Sequence, residues 1–160
     1  MKIFRLLCSI LVAVVLTASA QAEKTKVLII TGGHDFQKEP FFKLFQDNPD
    51  ITFTNATHGK TAQAYEREDL LSYDVVVLYD MIPTITDAQK TKFLSLFDKG
   101  IGVVVLHHAL CSYQAWPEYE QIIGGKYLMK EESKFDMVFP ESDYQHDVDF
   151  SVQVIGKDHP

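Results

Sequence analysis

Short runs of consecutive apolar residues alternate along this chain with stretches whose apolar positions recur at helical spacing. The first run after residue 22 is Val27-Leu28-Ile29-Ile30, ending at Thr31-Gly32-Gly33. A strand buried on both faces and entering a tight turn reads this way. Phe41, Phe42, Leu44 and Phe45 then predict a helix, with Pro40 in a first turn that tolerates it and Asn48-Pro49-Asp50 as its stop. Ile51 to Thr54 predicts a second strand, Tyr65 to Leu71 a short helix, and Asp74 to Tyr79 a strong third strand. Thr86-Asp87-Ala88-Gln89 has the spacing of a capping box, and Phe93, Leu94, Leu96 and Phe97 supply the apolar face of the helix it opens. Lys99-Gly100 closes that helix.

Ile101 to Leu106 predicts the fourth and most hydrophobic strand, and Tyr119 to Ile123 a helix stopped by Gly124-Gly125. Met137-Val138-Phe139 and Phe150 to Val154 read as antiparallel or edge strands. Strand and helix in alternation, with continuous apolar strands, predict an α/β fold with a doubly wound parallel sheet. Ligands of such sheets bind at the carboxyl ends of the strands, which directs attention to the residues there.

Strand one ends at His34-Asp35, strand three at Tyr79-Asp80-Met81 and strand four at His107-His108. An isolated histidine in such a place is ordinarily a core residue donating to a carbonyl, and His34 could be an exposed loop residue behind a flexible Gly-Gly turn. A pair at one strand end, facing a third imidazole at another, points instead to a site. His34 and at least one of His107 and His108 are therefore expected to meet at the sheet edge, with strands one and four flanking the switch point. Trp116, Glu118 and Tyr119 suit a sugar, the rings by stacking and the carboxylate by accepting from hydroxyls; Trp116 would serve equally as a hydrophobic anchor. Asp80 joins them as a candidate substrate-binding carboxylate. Cys111 reads as an incidental thiol and His58 as a solvated loop residue.

The 160 residues suit one domain, and 46% hydrophobic content excludes a disordered chain. Lys2 and Arg5, the apolar run Leu6 to Leu16 and the sequence Ala20-Gln21-Ala22 have the form of a signal peptide cleaved after Ala22. The run is short for a membrane anchor. Cleavage leaves 13 basic against 22 acidic residues, a charge of −9, and Cys111 as the one thiol, so the mature domain is expected in the periplasm or secreted without an internal disulfide. No basic stretch suits nucleic acid, and no membrane contact is expected after cleavage. Dinucleotide and P-loop fingerprints, the His-Glu-x-x-His helix and the G-x-S-x-G elbow are all missing.

The strings His107-His108-Ala109-Leu110, Trp116-Pro117-Glu118-Tyr119 and Ile122-Ile123-Gly124-Gly125-Lys126-Tyr127 resemble the ThuA-like family, named for trehalose utilisation. The stretch Val27 to Phe36, the segment Tyr144 to Val148 and Asp158-His159-Pro160 extend the resemblance over 26–160. It implies a flavodoxin-like domain of the glutamine amidotransferase-like superfamily over 23–160. Relatives continue past Pro160 into a further strand and helix, so the chain reads as C-terminally truncated. Where that superfamily carries a nucleophilic Cys after a central strand, His107 or its neighbour stands here, which argues against amidotransfer. The family's association is with trehalose-like disaccharides and their 3-keto forms.

Two functions follow. One is a hydrolase- or lyase-type enzyme on a small-molecule carbohydrate, with His34, His107 and His108 as acid and base, or with His34, His107 and His146 holding a divalent metal such as zinc. The other is a non-catalytic carbohydrate-binding or scaffold domain in which Trp116 and Tyr119 stack on the sugar.

Overall fold

A computed structural model describes residues 23–153, 155 and 156. The leader segment 1–22 and Asp158-His159-Pro160 lie outside the described residues. Four parallel strands, β1 (Thr25–Gly32), β2 (Ile51–Thr57), β3 (Val75–Asp80) and β4 (Gly102–Val105), form one sheet in the order β2-β1-β3-β4. Thr31 stands opposite Thr57 on one side and Tyr79 on the other, and Leu78 stands opposite Val105. The strand order reverses between β1 and β3, so the switch point of this flavodoxin-like α/β fold lies there. β4 is one strand further out than the flanking position expected for it.

Alternation along the strands divides the core in two. Leu28, Ile30, Val76 and Leu78 face one side and pack with Tyr65, Leu70, Phe93, Leu96, Trp116 and Tyr119. Val27, Ile29 and Val77 face the other, covered by Phe41, Phe42 and Phe45 of α1 (Lys38–Gln46) together with Phe53 and Leu106. The first side is thick, with α2 (Asp87–Asp98) and α3 (Pro117–Ile123) over it. The second is thin, and no residue of α1 is fully buried.

Several local expectations are met for the reasons that predicted them. Thr86 Oγ1 accepts from the Gln89 amide at 3.2 Å and Gln89 Oε1 accepts from the Thr86 amide at 3.0 Å, completing the capping box. Pro117 opens α3, and Gly124, at φ +79°, ends it in the left-handed conformation that glycine allows. β5 (Glu132–Lys134) and β6 (Met137–Phe139) form an antiparallel hairpin through Phe135 and Asp136, both at positive φ.

Three expectations are corrected. The helix predicted over Tyr65 to Leu71 is two 3-10 turns, Gln63–Glu66 and Leu70–Ser72, because Tyr65 and Leu70 are each drawn separately into the core. β4 is shorter than predicted, and among the described residues it forms a sheet edge; Val104 is 43% exposed although its sequence reads as a buried strand. Phe150 to Gln153 form no strand, and Phe150 and Val152 are exposed.

Candidate functional site

The carboxyl end of the sheet is built around the last two residues of β3, which point to opposite faces. Tyr79 turns toward α1, where its ring stacks on Phe41 (centroids 4.4 Å apart) and meets His34 edge-on at 4.8 Å. Asp80 turns toward the thick core and is fully buried. The consequence is one open cluster of imidazoles and one closed polar network, back to back.

The open cluster comprises His34, His107 and His108. The His34 and His108 rings lie 4.2 Å apart, those of His107 and His108 4.0 Å apart, and His107 stacks over Tyr79 at 6.3 Å. His34 reaches this place because Gly32 and Gly33 turn the chain sharply at φ +133° and +82°. A Cβ on Gly33 would stand 1.9 Å from the Met81 carbonyl oxygen, so only glycine lets the β1 loop lie against the end of β3. Met81 then donates its amide to the Gly32 carbonyl at 2.8 Å.

His107 follows β4 directly and adopts φ +45°, an uncommon conformation for a side chain-bearing residue, before the 3-10 turn His107–Cys111. A sharp strand-to-turn junction of this kind presents one side chain at the mouth of the sheet, and here that side chain is exposed. Of the two histidines that could stand at the sharp turn, His107 occupies it. Cys111 sits at the far end of the same turn, half-buried, with its thiol pKa pushed up by burial, as an incidental thiol would be.

The protonation chemistry of the cluster is asymmetric. Each His34 nitrogen faces a carbonyl oxygen, Nε2 that of Tyr79 and Nδ1 that of Asp35, both at 3.2 Å. Carbonyl oxygens only accept, so a protonated ring satisfies both and a neutral ring satisfies one. His108 is held below the usual imidazole range by burial and by the neighbouring charges of His107 and His34. Its Nδ1 is buried without a partner. A ring that resists a second proton thus stands beside one whose two nitrogens both face acceptors.

The closed network contains Asp80, Ser112, His58, Tyr113 and Tyr65. Ser112 Oγ donates to Asp80 Oδ2 at 2.8 Å and accepts from the Ile82 amide at 3.0 Å. His58 Nδ1 accepts from the Ala64 amide at 3.1 Å, which leaves Nε2 to carry the proton toward Tyr113 Oη, 3.3 Å away. Burial pushes His58 down to about 4. Burial likewise raises Asp80 to about 6, against the opposing pull of Ser112, the His34 charge and Tyr113. Tyr65 Oη and Asp80 Oδ1 are buried without partners.

Several predicted residues have a different place from the one expected. Asp80 is enclosed and cannot touch a substrate. His58 is a core residue, not a solvated one, because the Gly32 turn packs against its backbone. Tyr119 is buried against Phe93 and Trp116, and its Oη donates to the Ala109 carbonyl at 3.1 Å. Trp116 takes the anchor place that was one of its two readings, packed on Phe93 with only its rim on the surface. Glu118 is exposed, on a shallow groove of about 510 Å³ that it shares with Lys90, Leu94, Trp116, Gln121 and Ile122 and that contains none of the imidazoles. His146 is exposed and packs on Tyr144, so the set His34, His107 and His146 is not assembled. Among the described residues no three His, Cys, Asp or Glu side chains are placed to hold a metal ion. Tyr79 is the residue that sequence reasoning passed over; its position one residue before the end of β3, in register with Thr31, was the available sign.

A sequence model of the family described as ThuA, trehalose utilisation, matches residues 26–160. The chain belongs to the ThuA family. A solved structure described as a putative ThuA-like protein from Parabacteroides merdae is similar in fold, with a TM-score of 0.54 and 19% identity over 75% of this chain and 48% of that one. This ThuA chain thus spans about half the length of that solved relative. No curated protein sequence matches it significantly. Trehalose utilisation is the description of the family, and among the described residues of this chain no helix is long and apolar enough to cross a membrane.

Proposed function

We propose that this ThuA-family protein is an exported enzyme acting on trehalose-like disaccharides or their 3-keto derivatives, with His34, His107 and His108 as its acid and base. The observation that carries the reading is the 4.2 Å approach of two imidazoles in unlike surroundings at the carboxyl edge of the sheet, His34 between two carbonyl oxygens and His108 with a buried, unpartnered Nδ1. In a 3-keto glycoside the carbonyl acidifies the C2–H bond, and the glycosidic oxygen on C1 lies β to that carbonyl. A neutral imidazole, His108 or the exposed His107, takes the C2 proton. The freed electron pair passes through the enolate into a C1–C2 double bond as the C1–O bond breaks, and protonated His34 gives its proton to the departing oxygen. One proton is taken and one returned, and the products are an unsaturated keto sugar and a free sugar.

The chemistry needs no thiol, which agrees with an imidazole at the sharp turn. Of the alternative, a non-catalytic carbohydrate-binding or scaffold domain, the carbohydrate-binding form has less support, since Tyr119 is enclosed in the core and Trp116 is 6% exposed. No step is routed through a metal; among the described residues the donors do not assemble a three-ligand site. The test is a turnover screen of purified protein on disaccharides and their 3-keto derivatives, with elemental analysis of the same sample. Turnover of a keto sugar that vanishes in His107→Ala supports the reading; equal turnover in that variant defeats it. Export is tested by N-terminal sequencing of the secreted product, with a start at Glu23 expected and an intact Met1 in a membrane fraction contrary.

A further inference from the structure

The residues of the closed network also bolt together the two loops that carry the imidazoles. His34 is tied to β3 through the Tyr79 carbonyl and through the Gly32–Met81 hydrogen bond. The turn His107–Cys111 has no such tie at its histidines. It is held before them, where the Leu106 amide donates to the Leu78 carbonyl at 2.9 Å, and after them, where the Tyr119 hydroxyl and the Tyr127 amide donate to the Ala109 and Leu110 carbonyls. Just beyond its end Ser112 Oγ accepts from the Ile82 amide and donates to Asp80, and the Tyr113 amide donates to the Ile82 carbonyl at 2.9 Å. The segment Tyr79–Ile82 is thus the common support, and Asp80 is its one charged side chain.

We propose that Asp80 is a positioning residue of the imidazole cluster: through Ser112 it sets the turn carrying His107 and His108 at its distance from His34. The inference rests on the reading of the histidines as acid and base and assigns them a support no residue pattern announced. One hydroxyl couples the buried carboxylate, at 2.8 Å, to the Ile82 amide, at 3.0 Å, and the same end of β3 holds His34 through the Tyr79 carbonyl. A side chain at position 80 that cannot accept from Ser112 therefore frees the segment that follows the turn.

Histidine-ring NMR of the full chain tests this without any substrate. Ser112→Ala, which keeps the charge and removes the link, is expected to shift or broaden the His107 and His108 ring resonances and to weaken the His34–His108 ring contact. Ser112→Thr, which restores a hydroxyl, is expected to return them. Asp80→Asn, which keeps an acceptor for Ser112, is expected to leave the rings near their places, and Asp80→Ala, which removes it, to reproduce the Ser112→Ala pattern. Unchanged ring spectra in Ser112→Ala, or in a folded Asp80→Ala, overturn the proposal. If Asp80→Ala does not fold, the Ser112 variants decide it. A failed turnover screen sinks the enzymatic reading and leaves these readouts intact, so the two failures are distinguishable.

Discussion

The two faces of the sheet end carry similar chemical groups in opposite states. On the α1 side, imidazoles and a phenol lie under a thin cover, partly wet and close enough to share a proton. On the α2–α3 side, an imidazole, a carboxyl and two phenols are enclosed by aromatic packing, and burial drives His58 and Asp80 toward their neutral forms. The difference arises from one pleat of β3, which sends Tyr79 one way and Asp80 the other. Residue type alone therefore does not separate site from support; the depth of packing on each face does.

The largest break in this contrast comes at the seam. Gly33→Ala places a methyl 1.9 Å from the Met81 carbonyl oxygen at φ +82°, and is expected to lose upwards of about 3 kcal/mol or the folded state altogether, read by thermal denaturation. Both faces should fail together. His107→Ala should separate them: turnover is expected to fall by about 10²–10⁴-fold, the range for a lost acid or base, while the melting temperature holds, since the side chain is exposed and alanine keeps the Cβ at φ +45°.

The closed face has a pH signature of its own. Asp80 titrates near 6 when folded against an ordinary 3.8, so between those values the folded chain keeps a proton that the unfolded chain has released, and stability falls as pH rises through that interval. His58 titrates near 4 against 6.5, so there the unfolded chain holds the extra proton and stability rises with pH. The two slopes oppose each other, and the melting temperature should stay nearly flat between about pH 4 and 6. His58→Gln should expose a fall over that window of about 2–3 kcal/mol, and Asp80→Asn a comparable rise continuing to about pH 6.5, the conversion being ~1.4 kcal/mol per pH unit. Slopes of the same sign in both variants would break the account. The smallest effect is expected from Tyr119→Phe, which removes one of the two donors to the Ala109 carbonyl and leaves the Ser112 amide, and should cost about 1 kcal/mol with turnover unchanged.

Much of the frame was legible before any coordinates. Continuous apolar runs without alternation marked the parallel strands, and the Thr86–Gln89 spacing marked a capping box that formed as written. The histidines were legible as strand-end residues. Tyr119 misled and Trp116 stayed open because an amphipathic ring looks the same in sequence whether it floors a binding cleft or fills a core, and only the converging Phe93 showed which. His58 misled because its neighbours Gly59 and Lys60 are polar, while the packing that encloses it comes from Tyr65 and Tyr113, distant in the chain. The edge position of β4 was hidden for a related reason, since hydrophobic content reports what a strand can bury and not which neighbours it has.

The sequence by itself determined the strand and helix segments, the tight glycine turn after β1 and the presence of imidazoles at two strand ends, because each depends on residues within a few positions of one another. Tertiary structure alone decided that His34 meets His108, that His107 occupies the strained turn, and that Asp80 faces inward to Ser112. Those facts follow from strand order and from which side of each pleat is covered, and both are set by contacts between residues far apart in the chain, from Thr25 with Ile51 to His34 with His108, whose pairing no local pattern encodes.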